Sequence, residues 1–293
     1  MARCANMMAH CATGCSWRHA FLPSRSSGFN ILWGTLNGPQ AKVVRERMNL
    51  IGVLLAAGRG ARFDASAQRL KLLEPYPRGR ADAVPLALAA ARKLLAFGPV
   101  IAVVRAPSHA KRDAWFDANQ ARLRELLAGQ GCQVLCYAKM DGEGEGAAKI
   151  STAGAACATA LEGTGTSIAR AVQASAAADG WIVALADMPE IQAATIAAVR
   201  QALEDGALTA APYYRGRRGH PVGFAAACGA ELAALTGDDG ARAVLERHPP
   251  VRIDVDDPGV LFDVDQPEDL DHQDRAGTRT DPRAPTRASR KPK

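Results

Sequence analysis

A loop rich in glycine and arginine follows the first strongly apolar segment of the chain. The apolar segment is Leu50–Ala57, and the residues after it supply Gly58, Arg59, Gly60, Arg62 and Lys71. Because glycine has no Cβ, its backbone N–H group can approach an anion closely, while guanidinium and ammonium groups neutralise the anion. This combination predicts a phosphate-binding loop after a buried strand. An ordinary strand-to-helix turn with surface cations is the alternative.

Asp187 is a candidate ligand for a divalent cation. It follows the apolar segment Trp181–Ala186, which has the composition of a buried strand, and Pro189 restricts the turn that orients it. Mg²⁺ favours oxygen ligands from one or two carboxylates together with substrate phosphates and water. The alternative role for Asp187 is the N-cap of a helix that begins near residue 192.

Strand-like and helix-like segments alternate along the chain and must position these residues. We predict strands at 50–56, 99–105, 132–137, 180–186, 207–212 and 251–255. We predict helices at 84–97, 110–128, 166–178, 192–204 and 240–248, and a long loop at 139–164. The alternation predicts an α/β fold with a mainly parallel central sheet and helices on both faces. Since ligands of such sheets bind at the carboxyl ends of the strands, the glycine loop and Asp187 should face one crevice.

The positive charge of the chain is concentrated near its ends. The formal net charge of the 293 residues is +6, but residues 1–47 contain six Lys or Arg against one acidic residue, and residues 273–293 contain seven against two. Residues 48–272 therefore contain 23 basic and 27 acidic residues. A basic face with interleaved aromatic residues, which specific nucleic-acid binding needs, is not predicted.

Residues 48–271 are predicted to form one folded domain. Residues 1–47 lack sustained periodicity and an apolar signal segment, so we interpret them as a disordered extension or as a start codon assigned too early. Residues 272–293, rich in Arg, Pro, Asp and Thr, should form a disordered basic tail. Seven cysteines without paired spacing favour a reducing compartment, and no apolar run reaches the ~18 residues of a membrane span. A cytoplasmic protein is therefore expected.

Five short motifs in a consistent order resemble those of nucleotidyltransferases with a MobA-like NTP transferase domain. They are Leu55–Gly58 with its following cations, Leu185–Pro189, Arg218–Pro221, Gly237–Arg242 and Asp263–Leu270, and the resemblance covers roughly residues 49–271. The third and fourth motifs resemble those of the branch that contains the molybdenum cofactor cytidylyltransferases. The resemblance implies a three-layer, Rossmann-like nucleotidyltransferase fold.

The resemblance implies catalytic roles for two cations. Lys71 would neutralise the α- or β-phosphate of a nucleoside triphosphate, and Arg62 would help to hold the triphosphate. The family pattern has Arg-Met-Gly with a lysine soon after it, whereas Arg62–Asp64 reads Arg-Phe-Asp and a longer loop precedes Lys71. Arg69 is therefore an alternative to Lys71, although Lys71–Leu73 fits the family pattern better.

The resemblance also implies the walls of a nucleotide site. Leu55, Ala56 and Ala57 would form the floor beneath the base, and their Ala-Ala-Gly context resembles the cytidylyl-transferring branch, which favours CTP. The other implied nucleotide-binding residues are Gly58, Arg59, Gly60, Gly163 and Ser167. For the last two, the alternative is a plain helix N-cap formed by Thr166 or Ser167.

Metal and acceptor sites follow from the same resemblance. Asp187 and Asp265 would bind Mg²⁺, with Mn²⁺ as the alternative ion. Asp263 is the alternative second ligand, because alternate residues of an extended segment point to opposite sides. Gly219 and His220 would bind the acceptor, and the arginines beside them would meet an acceptor phosphate.

The implied activity is the transfer of CMP from CTP onto the phosphate of a molybdopterin-type molybdenum cofactor, with release of pyrophosphate. A sugar phosphate or another small phosphate is the alternative acceptor, and a recipient molybdoenzyme is an implied partner. A non-catalytic cofactor-binding chaperone for a molybdoenzyme is a further alternative, against which Lys71, Asp187 and Asp265 argue. A nicotinamide-dependent oxidoreductase is disfavoured because Phe63 stands where the dinucleotide fingerprint has its third glycine.

Overall fold

The structure is a computed structural model that describes residues 47–58, 60, 62–64, 68–105, 114–136, 150–151 and 163–275. The predicted disordered extension (1–47) and disordered tail (272–293) fall largely on residues outside these ranges, but residues 272–275 of the predicted tail belong to a 3₁₀ helix, Pro267–Arg275. Arg59 and most of the predicted loop at 139–164 also lie outside the described residues.

Most strands of the described chain form one large sheet. The strands are β1 (Leu50–Ala56), β2 (Pro75–Tyr76), β3 (Val84–Pro85), β4 (Val100–Val104), β5 (Gln133–Leu135), β6 (Ile150–Ser151), β7 (Gly180–Leu185), β8 (Thr209–Tyr214), β9 (Arg217–Arg218), β10 (Val222–Ala225) and β11 (Val251–Asp254). The large sheet has the order β11-β8-β10-β7-β1-β4-β5-β6, β9 pairs with β8, and β2 and β3 form a separate hairpin.

The centre of the large sheet is parallel. β1 pairs in parallel with β4 and β7, and β4 pairs in parallel with β5. β10 runs antiparallel to both β7 and β8, so β8 again has the direction of β7. Ala56 is opposite Val104, and Leu55 is opposite Leu185, so the carboxyl ends of β1, β4 and β7 lie at the same edge of the sheet.

Helices cover both faces of this sheet. They are α1 (Leu86–Leu95), α2 (Ala114–Gly129), α3 (Thr164–Ala174), α4 (Ala193–Glu204), α5 (Gly229–Ala233) and α6 (Arg242–Arg247). Buried side chains of α1, α2 and α4 join one apolar core, and those of α3, α5 and α6 join the other. The predicted three-layer α/β fold with a mainly parallel central sheet is therefore confirmed.

The composition of β1 explains its central place. Leu50 and Leu54 point into the core beneath α1, α2 and α4, while Ile51 and Val53 point into the core on the opposite face. A strand with helices on both faces has no solvent side, so its sequence is continuously apolar rather than alternating. The predicted strand at 50–56 is confirmed residue for residue.

Some local predictions are wrong, and several short elements, among them β9, β10 and α5, were not predicted. The helix predicted at 84–97 begins only at Leu86, because Val84 and Pro85 pair with the strand β2. β10 was not predicted, since it is only four residues long and Gly223 weakens its strand propensity. The long loop predicted at 139–164 contains the short strand β6. In the described part of the chain, no helix combines the length and the apolar character needed to cross a membrane.

Candidate active site

A cavity of about 900 Å³ opens where the central strands end. Its polar wall residues are Arg62, Lys71, Arg105, Thr164, Ser167, Asp187, Asp238, Asp263 and Asp265. Its apolar and glycine wall residues are Leu55, Ala57, Gly58, Gly60, Phe63, Leu70, Leu72, Gly163 and Leu185. A cavity of this volume is large enough for a nucleotide-sized ligand.

A buried lysine lies between two carboxylates in this cavity. Lys71 is only 8% exposed. Its Nζ atom donates a hydrogen bond to Asp187 Oδ2 at 2.8 Å and lies 3.8 Å from Asp265 Oδ1. Arg62 Nη1 donates to the other oxygen of Asp265 at 2.7 Å, from a side chain that is 78% exposed. The two predicted cations and the two predicted metal ligands thus form one charged cluster.

Three separate elements bring this cluster together. Asp187 follows the end of β7, and its backbone carbonyl accepts a hydrogen bond from the N–H of Val264 at 3.0 Å. Lys71 begins a short 3₁₀ helix, Lys71–Leu73. Asp265 precedes a second 3₁₀ helix, and its N–H donates to Asp269 Oδ2 at 3.0 Å. The bond between the backbones of Asp187 and Val264 therefore fixes the spacing of the two predicted metal ligands.

Asp263, the alternative metal ligand, also lines the cavity. Partial removal from water, followed by the negative charges of Asp265 and Asp187, raises the pKa of Asp263 above its usual value. The positive charge of Lys71 acts in the opposite direction without cancelling this effect. Asp263 thus lines the same cavity as Asp187 and Asp265 and is affected by their charges, and its role as the alternative second ligand stays a prediction.

The donor set fits a magnesium or manganese ion completed by substrate. Among the residues that the structure describes, no three His, Cys, Asp or Glu side chains already form a metal-binding group. Mg²⁺ commonly takes only one or two protein carboxylates and obtains its other ligands from phosphates and water. Asp187 and Asp265, both hard oxygen donors beside the cavity, match that requirement.

The helix-cap alternative for Asp187 does not match the structure. Helix α4 has Gln192 at its N-cap position, and the Gln192 N–H donates to Asp257 Oδ2 at 2.8 Å. The hydroxyl of Thr195, in the first turn of α4, donates to the same oxygen at 2.6 Å. Asp257 therefore caps α4 from a distant part of the chain, which leaves the Asp187 carboxylate with Lys71.

The glycine loop forms a further part of the cavity wall, beside Lys71: a Cβ on Gly60 would lie 3.4 Å from the Lys71 Cβ. Leu55, Ala57, Gly58 and Gly60 all line it, as the predicted phosphate loop requires. Ala56 differs, because it is only 1% exposed and packs in the core beneath the sheet. The predicted contact of Ala56 with the base is therefore corrected, and Ala57 is the alanine that faces the cavity.

The start of helix α3 forms a further part of the wall. Gly163 occupies its N-cap position, and Ser167 Oγ donates to the Gly163 carbonyl at 3.0 Å, so Ser167 is not the cap. The Thr166 hydroxyl instead accepts a hydrogen bond from the N–H of Gly237 at 3.1 Å. A Cβ on Gly163 would lie 2.0 Å from the carbonyl oxygen of Gly237, so only glycine permits this contact.

Gly219 and His220 are not among the described residues that line the cavity. A Cβ on Gly219 would lie 2.3 Å from the carbonyl oxygen of Val260, and the His220 N–H donates to that oxygen at 3.0 Å. Burial lowers the pKa of His220, although the nearby charge of Asp187 opposes the shift. Its Nδ1 atom has no hydrogen-bond partner within the described chain. Their contact with an acceptor stays a prediction.

Arg69, the alternative to Lys71, points elsewhere. Its Nε atom donates to Glu74 Oε1 at 3.0 Å, and its guanidinium carbon lies 5.1 Å from the centre of the Phe63 ring. Arg69 is thus engaged on the outside of the loop, and Lys71 is the cation that reaches the carboxylates.

Two charged wall residues were missed by the sequence reasoning. Arg105 directly follows β4, beside the carboxyl end of β1, and its place after a predicted strand was the signal that could have found it. Asp238 belongs to the Gly237–Arg242 motif, but only the contact between Gly237 and α3 brings it to the cavity. The contact between Gly237 and the start of α3 joins distant parts of the chain, so no local sequence pattern predicts it.

Comparison with known proteins agrees with this geometry. A family model described as the MobA-like NTP transferase domain matches residues 52–251. No curated protein sequence matches the chain significantly.

Several solved structures share the fold. Rv0371c from Mycobacterium tuberculosis H37Rv is 22% identical with a TM-score of 0.52, and the match covers 77% of this chain and 98% of that one. Its homologue from Mycobacterium sp. strain JC1 is 24% identical with a TM-score of 0.53, covering 78% and 96%. A nucleotidyl transferase from Methanothermobacter thermautotroptrophicus is 18% identical with a TM-score of 0.53, covering 76% and 94%. At these identities the likeness concerns the fold.

Proposed function

The chain is a nucleotidyltransferase of the MobA-like NTP transferase domain family, whose model matches more than half of its length, and we propose that it transfers CMP from CTP onto the phosphate of a molybdopterin-type cofactor. The observation that supports this most strongly is the cluster of Lys71, Asp187 and Asp265, which lines one cavity together with the glycine loop. Cations and metal-binding carboxylates are what a reaction between phosphates needs.

In the proposed reaction, an oxygen of the acceptor phosphate attacks the α-phosphorus of CTP. The bond between the α-phosphorus and the bridging oxygen breaks, and pyrophosphate leaves with the bonding electrons. The attacking oxygen is already anionic near neutral pH, so a Ser-His-Asp type of nucleophile is not required. Positioning and charge neutralisation account for the catalysis.

The chain supplies cations for the triphosphate. Lys71 is proposed to contact the α- or β-phosphate as a compact point charge, and Arg62 to contact the outer phosphates with its planar guanidinium. Both line the cavity, and both are paired with carboxylates in the structure. Arg105 lines the same cavity and adds a third positive charge.

Asp187 and Asp265 are proposed to hold Mg²⁺ or Mn²⁺. A bound divalent ion would neutralise phosphate charge and align the triphosphate. Asp269 supports this arrangement, because it accepts the backbone N–H groups of Asp265 and Gln266 at 3.0 and 2.9 Å and so orients the turn at Asp265.

The base is proposed to lie against Leu55 and Ala57. Both line the cavity at the end of β1, where backbone groups can read the base edge. Gly163 and Ser167 line the cavity at the start of α3 and are proposed to complete the nucleotide pocket. The preference for CTP rests on the Ala-Ala-Gly sequence, which resembles the cytidylyl-transferring branch.

The acceptor is proposed to bind on the side of His220. β8 has the same direction as β7, so the β8–β9 hairpin rises from the edge of the sheet that carries Asp187. Arg217 and Arg218 on this hairpin are exposed and are proposed to meet the acceptor phosphate. His220, next along the chain, would shape the floor beneath it.

Pyrophosphate release tests the proposal. The purified chain is mixed with CTP or GTP, a molybdopterin-type cofactor, and Mg²⁺ or Mn²⁺, with sugar phosphates as competing acceptors. We expect release that requires both metal and cofactor and that is faster with CTP than with GTP. A preference for GTP would overturn the cytidylyl assignment, release only with a sugar phosphate would overturn the acceptor, and no release with either nucleotide would overturn the transferase proposal.

A further inference from the structure

Lys71 occupies the place that a divalent cation would need. Its ammonium group is 2.8 Å from Asp187 Oδ2 and 3.8 Å from Asp265 Oδ1, the two carboxylates proposed to bind the metal. A magnesium ion lies about 2.0–2.1 Å from its ligand oxygens. An ion bound to these carboxylates would therefore lie within a few ångströms of the ammonium, where two positive charges repel strongly.

We infer that Lys71 excludes the metal from the free enzyme and releases the site only when a nucleotide phosphate replaces its carboxylate partners. This inference rests on the proposed function in one respect, that Asp187 and Asp265 are the metal ligands. Metal and nucleotide then bind cooperatively. When the metal ion binds Asp187 and Asp265, the Lys71 ammonium loses its carboxylate partners and pairs with a nucleotide phosphate instead.

The burial of Lys71 makes it the dominant cation of the cluster. Its side chain is only 10% exposed, whereas that of Arg62, which pairs with Asp265, is 78% exposed. Solvent and salt screen an exposed charge far more than a buried one. The Lys71 ammonium therefore contributes most of the repulsion that an entering metal ion meets.

The backbone around Lys71 is fixed, so the exchange needs only a side-chain movement. The neighbours Leu70 and Leu72 are buried in the core, and the Lys71 carbonyl accepts the N–H of Glu74 at 3.1 Å. The lysine stem has four carbons and several rotatable bonds, and Lys71 itself lines the cavity. Its ammonium can therefore turn from the carboxylates towards a phosphate in the cavity while the chain stays in place.

Manganese binding to the nucleotide-free chain tests this inference directly. The free Mn²⁺ signal in electron paramagnetic resonance gives the affinity of the full chain and of two uncharged variants, Lys71→Met and Lys71→Gln. We expect both variants to bind Mn²⁺ at least about tenfold more tightly than the wild type, because a positive charge next to the ion has been removed. A lysine that served only the phosphates would not show this gain.

Two further variants test where the Mn²⁺ ion binds and whether the loss of any nearby positive charge would raise the affinity. Arg69→Met removes a cation that pairs with Glu74 instead of the cluster, so Mn²⁺ affinity should remain at the wild-type value. Adding Asp187→Asn to Lys71→Met should abolish the gain, because it removes a metal ligand. Thermal unfolding of each variant confirms that the measured chain is folded.

Wild-type or weaker Mn²⁺ affinity in both Lys71→Met and Lys71→Gln would overturn the inference. If that result came with metal-dependent pyrophosphate release by the wild type, the proposed function would stand and only the exclusion by Lys71 would fail. Conversely, tighter Mn²⁺ binding in a chain that releases no pyrophosphate would support the exclusion and overturn the proposed function.

Discussion

Asp187 follows the strand β7, whereas Asp257, from a later part of the chain, caps the helix α4 that comes after β7, and the surroundings of the two carboxylates differ. Asp187 follows β7 and pairs with the ammonium group of a lysine side chain beside a cavity. Asp257 is 2% exposed and accepts hydrogen bonds from the backbone N–H groups of Gln192 and Gly259 and from the hydroxyl of Thr195.

The partners of these aspartates explain their different roles. The hydrogen bonds from backbone N–H groups to Asp257 cannot break without unfolding the start of α4. Its carboxylate is therefore held in place, and both of its oxygens already accept hydrogen bonds. Asp187 instead pairs with the end of a lysine side chain. A side chain of this kind can change its rotamer while the backbone stays folded, which is what the proposed exchange with a metal ion requires. A buried aspartate therefore indicates a ligand site only when its partners are exchangeable and face open space.

The largest expected effect comes from changing Asp187 to Asn. An amide cannot supply the charge of a carboxylate at Mg²⁺, so pyrophosphate release should fall by about 10²–10³-fold, the loss typical of removing one electrostatic contact to the transition state. The melting temperature should stay near that of the wild type. Steady-state kinetics over a range of Mg²⁺ concentrations checks this, and wild-type turnover at every concentration would disprove the metal assignment.

The matched change, Asp257 to Asn, should affect stability instead. The amide N–H₂ would meet the N–H donors that now bind the carboxylate, so the free energy of unfolding should fall by about 2–3 kcal/mol. The kcat of the remaining folded enzyme should be close to that of the wild type. Urea denaturation and kinetics on the same preparation measure both quantities. A variant with full stability but no activity would contradict the structural role of Asp257 and indicate a catalytic one.

A smaller effect is expected from Ala57 to Gly. Ala57 faces the cavity, so loss of its methyl group should change how closely the backbone approaches the base. Discrimination between CTP and GTP should relax by about 1–2 kcal/mol, the usual value of one hydrocarbon contact. The ratio of kcat/KM for the two nucleotides measures it. Ala56→Gly is the control, because Ala56 packs in the core and should affect stability more than discrimination.

The smallest effect is expected from removing residues 1–47. Arg200 Nη2 donates to the carbonyl of Met48 at 2.9 Å, and the Leu50 N–H donates to the same carbonyl, so a chain beginning at Met48 retains both contacts. Stability and activity should change little, and the Asp187 and Asp257 variants should behave as before in the shorter chain. A fall of many degrees in melting temperature would show that the removed residues support the domain.

Features with a local cause could be predicted from the sequence. The apolar run of β1 follows from burial on both faces, and the strand before Asp187 delivers that residue to the carboxyl edge of the sheet. The prediction that the glycine loop and Asp187 share one crevice follows from the parallel arrangement, and both line the same cavity.

Features that depend on distant pairings could not be predicted. The cap of α4 is supplied by Asp257, more than sixty residues further along the chain, so the sequence near α4 could offer only Asp187 as an alternative cap. The ion pair between Lys71 and Asp187 spans 116 positions, and only the packing of the 3₁₀ helix at Lys71–Leu73 creates it. Ala56 and Ala57 look equivalent in sequence, but the direction of their side chains separates the core from the cavity.

The fate of the phosphorus atoms tests the central claim most directly. The wild-type chain is incubated with a molybdopterin-type cofactor, Mg²⁺, and CTP labelled with ³²P at either the α- or the γ-position. Transfer of CMP predicts that the α-label appears in the cofactor and the γ-label in pyrophosphate. Appearance of the γ-label in the cofactor, or of either label only in inorganic phosphate, would contradict the account, because Lys71 and Asp187 would then serve a different reaction.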